Sequence, residues 1–426
     1  MTLTMSDSDR GTVRIKPVYI GIHHYSDVYG SVCSPDVRGT PPIEAPGSEQ
    51  IRKSARAMVE SFEDGTDAEF VELEEPFVIE EHADLRRLAS ELTRDVDALL
   101  VGSAGRRPWE QFTLSQYGLP IIGGPVSESF LRALRVKKFL SQSKFLYIGE
   151  IPSFSAPHGP YDFPGIEERL GVRVRHIETN HFYRYFDALA DDEVEAELDD
   201  WRQDFAEVEP DRKSMLDATR VYLALRELCK KEDANGVTVN CGRFTEERPV
   251  VPCLAFDRLI DEGIMCACEG DITAMLASLM LHAVSEQPVL MGNFGYRKGM
   301  FEADAGEVTI EHDLIPASMA SEGYTVRDYH GRGFGVTAYA DIKREEPMTL
   351  LNLDRSLEKM VVLQGRTQGS EDGIHCRIII HMTVDGDVAR LPQVIVGSQH
   401  MSMAFGHWSD ALAETGRLLG MELAHL

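Results

Sequence analysis

The chain has 426 residues, 43% of them hydrophobic and 27% charged, so it is long enough for two or three globular domains and too apolar to be disordered throughout. Its formal net charge of -27 argues against nucleic-acid binding, because an acidic surface repels phosphates. Such a surface suits a high-salt cytoplasm as well as an ordinary acidic protein. We expect no secretory signal, no membrane span and a cytoplasmic location.

The first predicted domain covers residues 13–142 and follows a flexible tail at residues 1–12. Strand patterns alternate with helical patterns here, which is typical of a Rossmann-like α/β unit with a mainly parallel sheet. We predict strands at 13–22, 68–73 and 97–104 and helices at about 48–62, 83–94 and 127–141. Loops after parallel strands often bind ligands, so His23 and Arg106 are candidate substrate-binding residues by position.

A second α/β unit is predicted for residues 143–324. It begins with the strand pattern KFLYIGEIPSF and continues with a long acidic helical region at about 191–231. The strand GVTVNCGRF and the strand PVLMGNF flank a helix at about 253–262 and the stretch CEGDITAMLASLML. We place all of these elements in a second mainly parallel sheet with its covering helices.

The third predicted domain, residues 325–426, is rich in short β-strand patterns with turn residues between them. VTAYADI, PMTLLNLD, KMVVLQGRT and CRIIIHMTV belong to this series, as does the longer stretch DVARLPQVIVGSQHMSMAF. This spacing is typical of an antiparallel barrel or sandwich. A closing helix is predicted at about 409–422.

Seven cysteines are spread along the chain without the density of a disulfide scaffold, which suits a reducing compartment. Four of them could be interpreted as a structural zinc site: Cys241, Cys253, Cys266 and Cys268. Their spacing lacks the Cys-x-x-Cys knuckle, so we interpret them as buried thiols close to a functional site.

Two carboxylates precede the apolar helix pattern that begins at Ile272. Glu269 and Asp271 lie at its start, where the helix dipole favours negative charge. The simplest interpretation is an N-cap and a surface acid. Two distant histidines offer another one: His312 follows a strand pattern and His400 lies in the last one, and one carboxylate with two imidazoles suits Mn²⁺ or a similar divalent ion.

Four segments together resemble a known group of enzymes. CEGDITAMLASLML, PVLMGNF, IEHDLIP and GSQHMSMAFGHWSDALAETGRLLGME are similar, in order and spacing, to the C-terminal half of the L-fucose/L-arabinose isomerase superfamily. They resemble its L-fucose isomerase-like branch more closely. The likeness in motifs runs from about Asn240 to the end of the chain, and the α/β pattern before it is compatible.

The resemblance implies a homotrimer or homohexamer that converts an aldose into a ketose with a divalent metal, usually Mn²⁺. The metal binds the oxygens at carbons 1 and 2 of the open-chain sugar, and a proton moves between these carbons through an enediol. Carried over by motif, Glu269 is a metal ligand and part of the catalytic machinery, and His400 is the late metal ligand. His312 matches a histidine that binds the metal in the arabinose branch.

One position departs from the family pattern. The second catalytic carboxylate is expected 24 residues after Glu269, where this chain has Asn293. An amide can bind a substrate or a metal through its oxygen, but it cannot accept a proton as a base. Asp271 is the nearest replacement, followed by Asp313 and Glu302.

The departure at Asn293 leaves other interpretations open. The chain could catalyse another metal-assisted sugar reaction, such as epimerisation, or act as a sensor that binds a sugar without converting it. Arg332, in the turn pattern GRGFG, is a candidate for contacting an anionic group of the substrate. A P-loop and a GxGxxG motif after the first strand are both absent from the sequence, so nucleotide chemistry is not predicted.

Overall fold

The structure is a computed structural model that describes residues 10–21, 47–92, 95–103, 114–151, 159–295 and 307–424. Three predicted candidates, His23, Arg106 and Glu302, lie outside these ranges. The chain divides into two compact units, Gly11–Lys138 and Phe139–Leu426, the second of which also includes Arg10. No helix in the described ranges is both long enough and apolar enough to cross a bilayer.

The unit Gly11–Lys138 contains one parallel sheet. Its elements in chain order are β1 (Val13–Ile20), α1 (Ser48–Asp64), β2 (Val71–Leu73), β3 (Phe77–Ile79), α2 (His82–Glu91), β4 (Ala98–Ser103), β5 (Ile121–Ile122) and the start of α3 (Glu128–Gln142). β1 pairs with β2 and β3 on one side and with β4 on the other, and all these pairs are parallel. Val18 and Ile20 of β1 pack with Leu88 of α2, and Tyr19 packs with Ile51 and Ala55 of α1, so both faces of β1 are covered, as expected for a parallel strand.

The second unit begins with another parallel sheet, whose strand order is β10-β9-β6-β7. Its elements are β6 (Lys144–Ile148), α4 (Phe163–Leu170), β7 (Arg173–Ile177), α5 (Thr179–Ala188), α6 (Asp191–Trp201), β8 (Glu207–Val208), α7 (Arg212–Glu232), β9 (Gly236–Val239), α8 (Cys241–Glu247), α9 (Cys253–Asp261), β10 (Met265–Ala267) and α10 (Ile272–Ser285). The predicted acidic helical region is therefore two helices, α6 and α7, with β8 between them.

An antiparallel barrel follows, and the remaining elements are β11 (Leu290–Gly295), β12 (Glu307–His312), β13 (Glu322–Arg327), β14 (Thr337–Asp341), β15 (Pro347–Leu353), β16 (Lys359–Asp372), β17 (Ile378–Val384), α11 (Leu391–Val394), β18 (His400–Phe405), α12 (Ser409–Leu419) and β19 (Glu422–Ala424). Six strands close the barrel in the order β15-β18-β11-β12-β17-β16, because β16 pairs back with β15. The predicted mixed α/β organisation with parallel sheets and a barrel near the C-terminal end is confirmed.

Two element predictions need correction. PVLMGNF was placed in the second parallel sheet, but β11 pairs antiparallel with β12 and β18 and therefore belongs to the barrel. The strand pattern beginning at DVARLPQVIVG is mostly a short helical turn, and only residues 400–405 form a strand. Both errors arise because short apolar runs look alike whether they enter a parallel sheet, a barrel or a turn.

α10 connects the parallel sheet to the barrel. All of its residues except His282 are buried, so the helix is apolar on every side and is enclosed by protein. Ser278 on this helix shares a hydrogen bond with Ser402 of β18 at 2.9 Å, and the Ser402 hydroxyl donates to the Ala274 carbonyl at 3.1 Å. These contacts fix the start of α10 against the strand that carries His400.

Candidate metal centre

Four residues, Cys268–Asp271, form a tight connection between β10 and α10 that we call the CEGD turn. Glu269 has φ 62° and Gly270 has φ 66°, so two consecutive residues are in the left-handed region. The Gly270 amide donates to the Val239 carbonyl at 2.9 Å, and the Asp271 amide donates to the Cys268 carbonyl at 3.1 Å. A positive φ is unusual for glutamate and is often found at functional sites.

Gly270 is required by its surroundings as well as by its φ angle. A Cβ at this position would lie 3.0 Å from the hydroxyl of Tyr147, a tyrosine buried under the turn. The turn thus follows the surface of the parallel sheet closely and directs the Glu269 side chain outward, where 37% of it is exposed.

Asp271 is fully buried, and both of its carboxylate oxygens accept hydrogen bonds. Its Oδ1 accepts from the Ala274 amide at 2.9 Å, which caps α10, and from the Thr273 hydroxyl at 2.7 Å. Its Oδ2 accepts from His400 Nδ1 at 2.8 Å. Burial alone would raise the pKa of Asp271, but the hydrogen bond and charge of His400 and the Ala274 amide outweigh burial and lower it.

This geometry agrees with the N-cap that the sequence predicted for Asp271, and it adds a hydrogen bond to the potential metal ligand His400. A replacement base must reach the substrate, whereas the side chain of Asp271 is 0% exposed. A carboxylate enclosed by its cap and by an imidazole has no surface to present to a sugar.

The two histidines come from the barrel. His400 begins β18 and is 1% exposed, and His312 ends β12 and is 7% exposed. Because His400 Nδ1 donates to Asp271, its Nε2 carries the lone pair, and this atom lies 3.8 Å from Glu269 Oε2. His312 Nε2 lies 3.9 Å from Glu269 Oε1.

Glu269, His312 and His400 therefore meet as predicted. One potential ligand atom from each lies within 4.8 Å of the others, and this is the group with metal-ligand spacing among the described residues. Burial, more than the neighbouring charge of His400, lowers the pKa of His312 to about 4, so its imidazole is neutral at neutral pH. The buried Nδ1 of His312 has no hydrogen-bond partner among the described residues. A neutral, desolvated imidazole is ready to bind a cation.

Asn293 lies in β11 directly opposite His400 of β18 and opposite Glu311 of β12. Residues that face each other in paired strands lie on the same side of the sheet, so the three share one side. The Asn293 side chain is hydrogen-bonded to the thiol of Cys376. Asn293 is thus on the same side of the sheet as His400, one of the potential metal ligands.

The remaining predicted residues are Arg332 and the cysteines. Arg332 is exposed at the end of the short turn Tyr329–Gly331. Three of the four cysteines are free thiols next to the CEGD turn: Cys253 and Cys268 are buried and hydrogen-bonded to each other, and Cys241 is half-buried and contacts the Glu269 backbone. Cys253 and Cys268 agree with the interpretation of buried cysteines close to the site.

Sequence reasoning missed one pair of side chains. His330 Nε2 lies 2.6 Å from Asp313 Oδ2, the carboxylate of the residue that follows His312. Asp313 was considered alone, and His330, which directly precedes the turn pattern GRGFG, was not considered. A histidine in a glycine-rich turn was the available signal, but nothing in the spacing joins positions 313 and 330.

Residues 164–286 match the family model described as the L-arabinose isomerase central domain. This match lies in the superfamily that the motifs resemble, although it does not distinguish the L-fucose isomerase-like branch. It includes the CEGD turn and α10 and stops before the barrel, so Asn293, His312 and His400 lie outside it. No curated protein matches the chain.

Proposed function

We propose that the protein is a metal-dependent aldose–ketose isomerase acting on a small sugar. The observation that carries the proposal is the meeting of Glu269, His312 and His400, which come from one turn and two barrel strands far apart in the chain. The likeness of residues 164–286 to an arabinose isomerase domain supports the same class of reaction independently of the barrel residues.

The donor set fits Mn²⁺. One carboxylate and two imidazoles suit a divalent ion of intermediate hardness and leave coordination positions open for substrate oxygens. The buried imidazole of His312 is one such donor, and burial keeps it unprotonated at neutral pH. When bound, Mn²⁺ supplies charge stabilisation for the oxygens at carbons 1 and 2 of the open-chain sugar.

The protein side chains then have distinct tasks. Glu269 supplies the only negative charge of the three ligands. It is also the most exposed of them, so a cation arriving from solvent contacts it first. Asp271 holds the His400 ring and its tautomer through the 2.8 Å hydrogen bond. Asn293, opposite His400, can bind a sugar hydroxyl through its amide, and Arg332 is the candidate for an anionic substituent of the substrate.

The experiment is NMR of candidate aldoses in D₂O with protein freed of metal by chelation and then loaded with Mn²⁺. The panel includes L-fucose, D-arabinose and L-arabinose. With Mn²⁺ we expect a ketose labelled with deuterium at carbon 1, and deuterium at carbon 2 of the recovered aldose, and neither after chelation. Conversion at an unchanged rate after chelation would overturn the metal-dependent proposal.

Because Asn293 stands where a carboxylate is expected, two other functions are tested as well. An epimer of the starting sugar, labelled at the inverted carbon and without ketose, would assign another metal-assisted sugar reaction. Sugar binding in calorimetry without any exchange would assign a sensor. The L-fucose isomerase-like branch, Rossmann-like parallel units, a homotrimer or homohexamer and a cytoplasmic location remain part of this proposal, and light scattering tests the assembly.

A further inference from the structure

A histidine–aspartate pair lies beside the candidate metal centre. Asp313 is the first residue after β12 and directly follows His312, so the two Cα atoms are about 3.8 Å apart. His330 belongs to the turn Tyr329–Gly331 between β13 and β14, and its Nε2 donates to Asp313 Oδ2 at 2.6 Å. The Asp313 side chain is 7% exposed, whereas that of His330 is 20% exposed.

Both members of the pair are held in place. The second oxygen of Asp313 accepts from the Arg377 backbone amide at 3.1 Å. The Arg377 guanidinium binds the Asp328 carboxylate at 2.5 Å and the Asp328 carbonyl at 3.1 Å, which fixes the start of the turn. His330 itself has φ 54°, and its ring stacks on that of Tyr329 with 3.9 Å between centroids.

The turn also borders the ligands. The charges of Asp313 and His330 both act on the pKa of His312, with opposite signs, which places the pair within electrostatic reach of that ligand. Burial raises the pKa of Tyr329, and the thiols of Cys253 and Cys241 add to this effect. Cys241 also contacts the Glu269 backbone, so the same thiol is a neighbour of the CEGD turn.

We propose that His330, oriented by Asp313, is the proton-transfer residue of the site. This inference rests on the proposed isomerase function. Because Nε2–H is bound to Asp313, Nδ1 carries the lone pair that acts as the base. A buried carboxylate that orients an imidazole is a recurring arrangement for moving protons, and positive φ at a histidine is the kind of strain found at such sites.

In an open-chain aldose, His330 Nδ1 takes the proton from carbon 2 and the electron pair of that C–H bond forms the double bond between carbons 1 and 2. The electron pair of the carbonyl π bond moves to oxygen 1, which takes a proton from water. In the enediol, the hydroxyl at carbon 2 then gives its proton to water, and its O–H electron pair forms the new carbonyl. The double bond takes the proton back from His330 at carbon 1, which gives the ketose.

The other candidate bases are less suitable. Asp271 is 0% exposed, and Asn293 cannot accept a proton. Glu311 is the competing carboxylate, since it lies opposite Asn293 on a half-buried position of β12 and accepts from the Thr309 hydroxyl at 2.9 Å. Glu311 is therefore tested as an alternative base, and its variant is not a control.

The test uses three variants of the full chain, His330→Asn, Asp313→Asn and Glu311→Gln, with His381→Asn as the matched control. Asparagine tolerates positive φ, so it preserves the turn at position 330. His381 also faces a carboxylate, with Nε2 3.5 Å from Glu371 Oε1, but it lies inside β17. Each protein is measured for Mn²⁺ binding by calorimetry and for aldose-dependent deuterium exchange by NMR.

A readout without metal or sugar reports on the pair itself. In the metal-free protein, the Nε2–H of His330 should give a downfield proton resonance that is lost in His330→Asn and Asp313→Asn and kept in His381→Asn. The presence of this signal in His330→Asn would show that the pair is not formed as the geometry implies, and would overturn the inference.

We expect His330→Asn to bind Mn²⁺ within about threefold of the wild type and to lose at least about a hundredfold in exchange rate, the usual contribution of a proton-transfer group. Asp313→Asn should lose less, and His381→Asn should be unchanged. Exchange retained by His330→Asn but lost by Glu311→Gln would assign the base to Glu311 and overturn the inference alone. Absence of Mn²⁺ binding or of exchange by the wild type would overturn the proposed function itself.

Discussion

Two regions of different character form the candidate metal centre. The CEGD turn is a strained connection in which Glu269 and Gly270 both have positive φ, and it presents a carboxylate that is 37% exposed. The barrel strands present His312 and His400, whose side chains are 8% and 0% exposed and whose backbones are fixed by strand pairing.

The difference shows that the charged ligand and the desolvated ligands of the centre come from different regions. Keeping a carboxylate ionised is easiest where water reaches it, so the negative ligand lies on the exposed turn. Keeping an imidazole neutral is easiest where burial penalises its protonated form, and burial indeed lowers the pKa of His312 to about 4. A bound cation would join the two regions, because each supplies ligands that the other lacks.

Removing the charge of the turn should have the largest effect. Glu269→Gln keeps the size of the side chain but loses the only anionic ligand, so we expect Mn²⁺ affinity to fall by more than the roughly 10- to 100-fold typical of a lost outer partner. At 100 times the dissociation constant, Mn²⁺ should stabilise the wild type by about 2.7 kcal/mol and leave this variant unchanged. Calorimetry and thermal unfolding measure both quantities.

Glu286→Gln is the control for this variant, because Glu286 also has positive φ and lies at the other end of α10. Its Mn²⁺ affinity should match that of the wild type. If Glu269→Gln bound Mn²⁺ as tightly as the control, Glu269 would not be a ligand, and the turn would not supply the charged ligand of the centre.

Asp271→Asn should weaken the link between the two regions. The amide oxygen still caps α10, but an amide nitrogen facing His400 Nδ1 favours the tautomer with the proton on Nε2, the atom that faces Glu269. We expect Mn²⁺ affinity to fall by about 10- to 100-fold with little loss of stability. Calorimetry and urea unfolding separate the two effects.

Asp211→Asn provides the matched cap, since Asp211 accepts from the Ser214 amide at 2.7 Å at the start of α7 and is not near the metal ligands in any described contact. It should leave Mn²⁺ affinity unchanged. Equal affinities for both variants would mean that the His400 hydrogen bond does not prepare a ligand.

Gly270→Ala should have a smaller effect, on stability. A Cβ at φ 66° is strained, and it would also lie 3.0 Å from the Tyr147 hydroxyl, so we expect a loss of about 1–3 kcal/mol in the free energy of unfolding. Gly420→Ala has the same φ of 66° with no atom within 4 Å of its Cβ. Urea unfolding should show the larger loss of unfolding free energy for Gly270→Ala. Equal losses for the two variants would mean that the turn moves away from Tyr147 at no cost.

Much of the fold could be predicted from local patterns. The helix starting at Ser48, the helix starting at Cys253 and the strand starting at Val13 were each placed correctly at that end, because each has the hydrophobic period of its element. PVLMGNF was assigned to the wrong sheet, since a short apolar run does not specify its partners. Strand pairing is a long-range property, and β11 pairs with β18 more than 100 residues away.

The candidate site could likewise be predicted only in part from the sequence. Glu269, His312 and His400 were predicted as a set from motif order, and the structure brings their ligand atoms within 4.8 Å. His330 was not assigned, because its contact with Asp313 depends on how the turn between β13 and β14 folds back over β12. The roles of Asp271 likewise depend on burial, which a carboxylate in the sequence does not reveal.

By itself, the sequence determined which chemical groups are available: an acidic turn before a buried helix, two strand histidines, and an asparagine where the motif resemblance led us to expect a carboxylate. Tertiary structure alone decided which of these groups are exposed, which are desolvated and which hold one another. The physical reason is that ionisation and hydrogen bonding depend on the surroundings of a side chain. Those surroundings form only when the parallel sheet, α10 and the barrel pack together.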